Sequence, residues 1–157
     1  MNVDNTNVFS QVRTLVKELI NSNVVDPKVG SVNSRRRWMY RQIPDTTSHD
    51  FAGYPFIVVS SPEGNSEEMD LQGGTSDFES ELSVEVFVEF NDTNARVDTL
   101  SNSIYQTLNS RANKNTLASQ NLHLENINAG PYDDEEIENK KVNTRKFTIT
   151  YTSTINN

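Results

Sequence analysis

The chain has 157 residues, with 14 Lys and Arg against 22 Asp and Glu, for a formal net charge of −8. That length fits one domain, and the acidic balance argues against a general phosphate or anionic-membrane binder, which needs clustered cations. Cysteine is absent and there are two histidines, so disulfides, thiolate metal sites and a cysteine nucleophile are excluded and imidazole chemistry has little to draw on.

Hydrophobic residues make up 34% of the chain, and Asn, Ser and Thr together supply 50 residues. The balance predicts a single, loop-rich domain over 1–157 with a modest core, rather than a disordered chain. Met1–Asn7 does not read as a signal peptide, since no basic cluster leads into an apolar run. The longest near-continuous apolar stretch, Tyr54–Val59, is too short to span a bilayer.

In chain order, Phe9, Val12, Leu15, Val16, Leu19 and Ile20 recur at spacings of three and four, which predicts an amphipathic helix over Val8–Ile20. Asn5, Thr6 or Asn7 can cap it, and Asn21-Ser22-Asn23 ends it. Lys28–Asp50 has no period and reads as a long irregular loop. Tyr54–Ser60 reads as a short strand, and Glu63–Glu81, with seven acidic residues, no basic one and the pair Gly73-Gly74, reads as a solvated loop.

Leu82–Phe90 alternates strictly. Leu82, Val84, Val86, Val88 and Phe90 share a buried face, and Ser83, Glu85, Phe87 and Glu89 share a largely wet one. Asn91–Asn94 offers caps for a second helix over Ala95–Arg111, with Val97, Leu100, Ile104 and Leu108 as its seam. Leu122–Ile127 is a weak strand and Arg145–Ile155 a strong one. Asn128–Asn143, between them, is a long charged connection or a protruding hairpin. The sum is an α+β fold, a mainly antiparallel four-stranded sheet with two amphipathic helices packed on one face and long charged loops at 28–50, 63–81 and 128–143.

No hydrolase elbow, zinc-protease helix, phosphate loop or dinucleotide fingerprint is present, and nothing calls for a catalytic residue, a cofactor or a metal. His123, between Leu122 and Leu124, reads as a surface histidine. His49, beside Asp50, is half of a relay with no nucleophile next to it. The most informative group is Arg35, Arg36, Arg37, Trp38, Tyr40 and Arg41, a basic and aromatic segment inside an acidic chain. Guanidinium forks bind phosphate or carboxylate, and rings stack on bases or guanidinium planes. The segment therefore fits contact with nucleic acid, docking on an acidic partner surface, or a solvated loop. The acidic sets Glu67, Glu68 and Asp70, and Asp133, Asp134, Glu135 and Glu136, lack calcium-loop spacing. They read as solvated loops whose charge complements the basic segment of a second copy, a head-to-tail contact that can close into a ring.

The order of these elements resembles that of the tail terminator (tail completion) proteins of long-tailed bacteriophages and related viruses. The likeness lies in the opening helix Val8–Ile20, the Tyr54-Pro55-Phe56-Ile57-Val58-Val59 strand after a long loop, the alternating Leu82–Phe90 strand running straight into Ala95–Arg111, and the closing strand Phe147–Tyr151. The long loops Lys28–Asp50 and Asn128–Asn143 depart from the pattern, and no residue-specific motif carries over. The resemblance implies a homo-oligomer, a hexameric ring in the virion neck assembled in the host cytoplasm. It would contact the tail tube protein and the head–tail connector, with DNA passing through the lumen without specific recognition and with no enzymatic activity, cofactor or membrane. A small nucleic-acid-binding module using residues 35–41, or another neck or head-completion protein, is the alternative expectation.

Overall fold

The computed structural model describes residues 2–3, 7–61, 67–72, 75–92 and 96–156, with backbone alone for 67–72, 75–78 and 154–156. The elements are α1 (Val8–Asn23), β1 (Met39–Tyr40), β2 (Phe56–Ser60), β3 (Glu67–Gln72), β4 (Thr75–Glu89), α2 (Val97–Asn109), α3 (Arg111–Ser119), β5 (His123–Ile137) and β6 (Lys140–Asn156). The class is α+β. One sheet has the order β1-β2-β4-β6-β5, with β3 also on β4. All pairs are antiparallel except β1 with β2.

The apolar seams explain the layering. Val12, Leu15, Val16 and Ile20 of α1 and Leu100, Ile104 and Leu108 of α2 are buried in one cluster with Ile57, Val59, Leu82, Val84, Val86, Val88, Phe147, Ile149 and Tyr151 of the sheet. The helices thus cover one sheet face. α1 runs one turn past the predicted end, with Ser22 Oγ donating to Glu18 O (2.8 Å) and Asn23 Nδ2 donating to Leu19 O (2.8 Å). Asn7 is its N-cap, but the side chain makes no capping bond; Asn5 and Thr6 lie outside the described residues.

The single helix expected over Ala95–Arg111 is two. Arg96 takes the N-cap of α2, while Thr93 and Asn94 fall outside the described residues. Ser110 leaves helical geometry at ψ 128°, ends α2 and caps α3, its Oγ accepting from the Asn113 N–H (3.4 Å). Leu117 alone is buried in α3, too little for a periodic signal. A Schellman motif closes α3: Asn121 is left-handed, with Asn121 N–H on Ala118 O and Leu122 N–H on Leu117 O.

All three predicted loops contain strand: Lys28–Asp50 carries the two-residue β1, and the other two are largely sheet. Glu63–Glu81 contains β3 and the first half of β4, and the Gly73-Gly74 connection lies outside the described residues. The acidic composition hid this hairpin because ladder hydrogen bonds do not require an apolar face once the partner strand is held elsewhere, here by β6 across Thr75–Glu89. Asn128–Asn143 is a hairpin, not an irregular connection, and it ends nearly level with β4, whose Glu89 pairs with Val142. β5 and β6 pair to Ile137↔Lys140, and Glu138 and Asn139 turn with φ 49° and 63°, the two left-handed residues of a tight hairpin. Among the described residues, six strands and three helices therefore replace the four and two expected.

The face opposite the helices is not simply wet. Tyr40, Tyr54, Phe56, Val58, Phe87 and Val142 form a second buried cluster, with Phe51 and Ile137 against it. Phe87, expected on the wet face, stacks on Phe56 at 4.7 Å between centroids. The chain through residues 41–55 folds over this end of the sheet and shelters it. Phe87→Ala is accordingly expected to destabilise the protein by about 3–5 kcal/mol in urea unfolding, where an exposed position would change it by no more than about 0.5 kcal/mol.

Candidate functional site

The basic-aromatic segment divides into an inner and an outer half. After α1, Asp26 starts a turn in which Gly30 N–H and Val29 N–H bond to Asp26 O and Asp26 N–H bonds to Ser31 O. The Asp26 carboxylate is fully buried. It accepts from Arg36 Nε (2.8 Å), Arg36 Nη2 (2.9 Å), Ser34 Oγ (2.7 Å) and Lys28 N–H (3.0 Å). The same guanidinium donates to Gly53 O (2.8 Å) and Pro55 O (2.7 Å). Arg36 thus ties the turn after α1 to the chain entering β2, which holds β1 beside β2. Burial pushes the Asp26 carboxyl up, but the bonds from Arg36, Ser34 and Lys28 N–H and the guanidinium charge outweigh it and hold the carboxyl below its ordinary range.

Trp38 is 2% exposed and packs in the helix-side core, with its indole N–H on Asn21 Oδ1 (3.1 Å). Tyr40 is buried on the other face, its hydroxyl donating to Arg37 O (2.9 Å). Arg36, Trp38 and Tyr40, expected to face a partner, therefore build the interior. Exposure alternates over 35–38, with 35 and 37 out and 36 and 38 inward; β1 then sends Met39 to the helix-side cluster beside Ile57 and Tyr40 to the opposite cluster beside Val58.

The outer half is Arg35, Arg37 and Arg41, all exposed, and among the described residues no carboxylate pairs with them. The Arg37 guanidinium lies 5.1 Å from the Tyr40 ring centroid. Arg13, which the sequence did not single out, reaches from α1 to donate from Nε to Val59 O (2.7 Å), covering the edge of β2 where β1 has ended. Burial first, and the Arg41 charge second, lower the pKa of Arg13. Arg37 and Arg41 line an open cleft of about 510 Å³ with Tyr40, Gln42, Asp45 and Asp50. Asp45 accepts from Thr47 N–H (3.0 Å) and Thr47 Oγ1 (2.6 Å), and Asp50 lies 3.5 Å from His49.

The acidic counterpart is the β5–β6 arm. Asp133, Asp134 and Glu136 are exposed and Glu135 is half-buried. On the same face, burial and then the charge of Glu135 raise the Glu85 carboxyl, with Lys146 opposing and Asp133 adding to the rise. The nearby cations of the arm have their own contacts: Lys140 with Glu89, Lys141 over the Phe90 ring (4.3 Å), and Arg145 over the Tyr132 ring (4.2 Å) with Nε on Gly130 O (3.0 Å). Glu67, Glu68 and Asp70 lie on β3, and their side chains are outside the described residues.

Strand order then sets the geometry. One ladder row runs Met39, Ile57, Val86, Arg145, Tyr132, from one outermost strand to the other. Arg37 and Arg41 flank its first residue in sequence, and Asp133 and Asp134 follow its last. Four inter-strand steps separate them, roughly 19 Å. The structure brings Arg37 and Arg41 together at one edge and places Asp133–Glu136 on the opposite edge; Arg35 is exposed and lines no part of the Arg37–Arg41 cleft.

His49 and His123 are both exposed. No group of three or more His, Asp or Glu among the described residues is arranged to hold a metal ion, and no helix there is long and apolar enough to cross a membrane.

Arg36→Ala is expected to cost about 3–5 kcal/mol in denaturant unfolding because it strands a buried charge, whereas Arg37→Ala should change stability by no more than about 0.5 kcal/mol. The depressed Asp26 carboxyl contributes stability above the unfolded value near ~3.9, and that contribution fades as pH falls through the lower folded value. Unfolding measured from about pH 5 to pH 2 should show this loss in the wild type and lack it in Asp26→Asn. No family model and no curated protein matches this sequence.

Proposed function

We propose that the chain is a structural virion protein, a ring-forming tail terminator that ends tail-tube growth and joins the tail to the head connector. The observation that carries the reading is the placement of opposite charges on opposite edges of one sheet at the same ladder level. Edge to edge, such a surface is complementary to itself by a rotation and translation that bring one edge against the other, so copies associate head to tail. A heterologous contact of that kind makes a closed ring when the rotation fits and a filament when it does not. The number of subunits, about six, comes from the resemblance in element order.

The partners in this reading are further copies of the chain, the tail tube protein and the head–tail connector. DNA passes through the lumen without being read, and the net charge of −8 suits a wall that does not grip phosphate. The protein resides in the tail or neck of the virion and assembles in the host cytoplasm. The nucleic-acid-module reading has less support, because Trp38 and Tyr40, the rings it needs for stacking, are buried in the two cores.

Negative-stain imaging of the protein alone and with tail tubes tests the proposal. Closed rings of about six copies capping tube ends are expected, with tubes of uncontrolled length when the protein is left out. A closed two-fold dimer, or tubes whose length ignores the protein, contradicts it. Duplex DNA binding at low salt that falls steeply with added salt supports the module reading instead.

A further inference from the structure

We infer that the acidic arm of one copy, through Asp133 and Asp134, seats against the Arg37–Arg41 cleft of the next copy. This contact rests on the ring reading and names the residues that make its interface. Three observations support a second copy as the occupant. The exposed guanidinium groups of Arg35, Arg37 and Arg41 have no carboxylate partner among the described residues, and neither Asp133 nor Asp134 has a cationic one. The two sets stand roughly 19 Å apart across the sheet, so they cannot meet within one molecule.

The third observation is that most of the local opposite charges are already engaged, the exposed Lys146, which acts on Glu85, being the exception. Lys140 is held by Glu89, Lys141 and Arg145 lie over rings, and Asp45 faces its own turn at Thr47. Of the charges near the cleft, the carboxylates Asp45 and Asp50 oppose the incoming arm, Asp50 sitting by His49, while Arg13 and Arg41 favour it. The outer edge of β5 is protected against strand addition by Pro131 and two register shifts. The contact is therefore one of side chains, salt-sensitive, with bidentate guanidinium–carboxylate geometry as its specific element.

Paired charge reversal tests this. One variant carries Arg37→Glu and Arg41→Glu; the other carries Asp133→Lys and Asp134→Lys. Sedimentation velocity at low salt reads association, and far-UV circular dichroism checks folding. Each variant alone should associate at least about tenfold more weakly than wild type, since like charges now face each other. Their equimolar mixture should regain assembly, because every edge again meets its opposite, and an alternating ring closes with an even number of copies.

The absence of cysteine allows a second readout that does not depend on charge. Arg41→Cys mixed with Asp134→Cys should give a cross-linked heterodimer with a short bismaleimide, while each alone and the pair Asn102→Cys with Asp134→Cys should not. If the reversed variants assemble like wild type and the heterodimer is absent, the contact is overturned while rings in the microscope still uphold the ring reading. If the wild type neither associates nor cross-links at any concentration and forms no ring on tubes, both fall.

Discussion

Asp26 carries its charge in the interior, and Arg36 meets it there with two donors while reaching Gly53 O and Pro55 O with the rest of its fork. Segments distant in sequence are joined by that one guanidinium: the turn that leaves α1, the approach to β1 and the approach to β2. Val24, Trp38, Met39, Tyr40 and Tyr54 supply the apolar contacts of the 24–55 stretch, and the guanidinium fixes the path of the chain between them, since β1 is only two residues long. The position of β1 in turn decides where Arg35, Arg37 and Arg41 stand, and the path of residues 41–55 decides that Phe56 and Phe87 are sheltered. A buried ion pair is a weak source of net stability compared with an apolar replacement; its value here is that it selects one path for a chain segment with no periodicity.

The legible part of the fold is the part with a period. Val12, Leu15, Val16 and Ile20, and Leu100, Ile104 and Leu108, recur at helical spacing because each helix offers one stripe to the sheet. Leu82, Val84, Val86 and Val88 alternate because β4 is central and one of its faces meets those stripes. Where an element has no apolar face, composition misleads. β3 and the start of β4 are acidic and polar, yet they pair, because their hydrogen bonds are backbone bonds and β6 already supports the partner strand. α3 presents Leu117 alone, so a window average sees a loop.

The candidate site was half legible, and for a physical reason. Residues 35–41 stand out by charge and aromaticity, but charge says nothing about direction. Arg36 and Trp38 point inward because Asp26 and Asn21 wait for them, and neither partner is close in sequence. Arg35 and Arg37 are left outside by that local alternation, and Arg41 is outside because it follows the last residue of β1. Asp133–Glu136 stood out as an acidic run, while its place on the opposite edge depends on strand order, which local pattern does not encode. Arg13 had no signal at all; its role follows from Val59 O being left without a strand partner.

The account's central claim is that the two edges of the sheet are the surfaces by which copies of the chain meet. Hydrogen–deuterium exchange, comparing the dilute chain with the assembled form, reads this directly. Slowed exchange in both 37–42 and 132–136 upon assembly, with the α2–α3 surface unchanged, is the predicted result. Slowing confined to residues 97–119, with both edges exchanging as in the free chain, contradicts it.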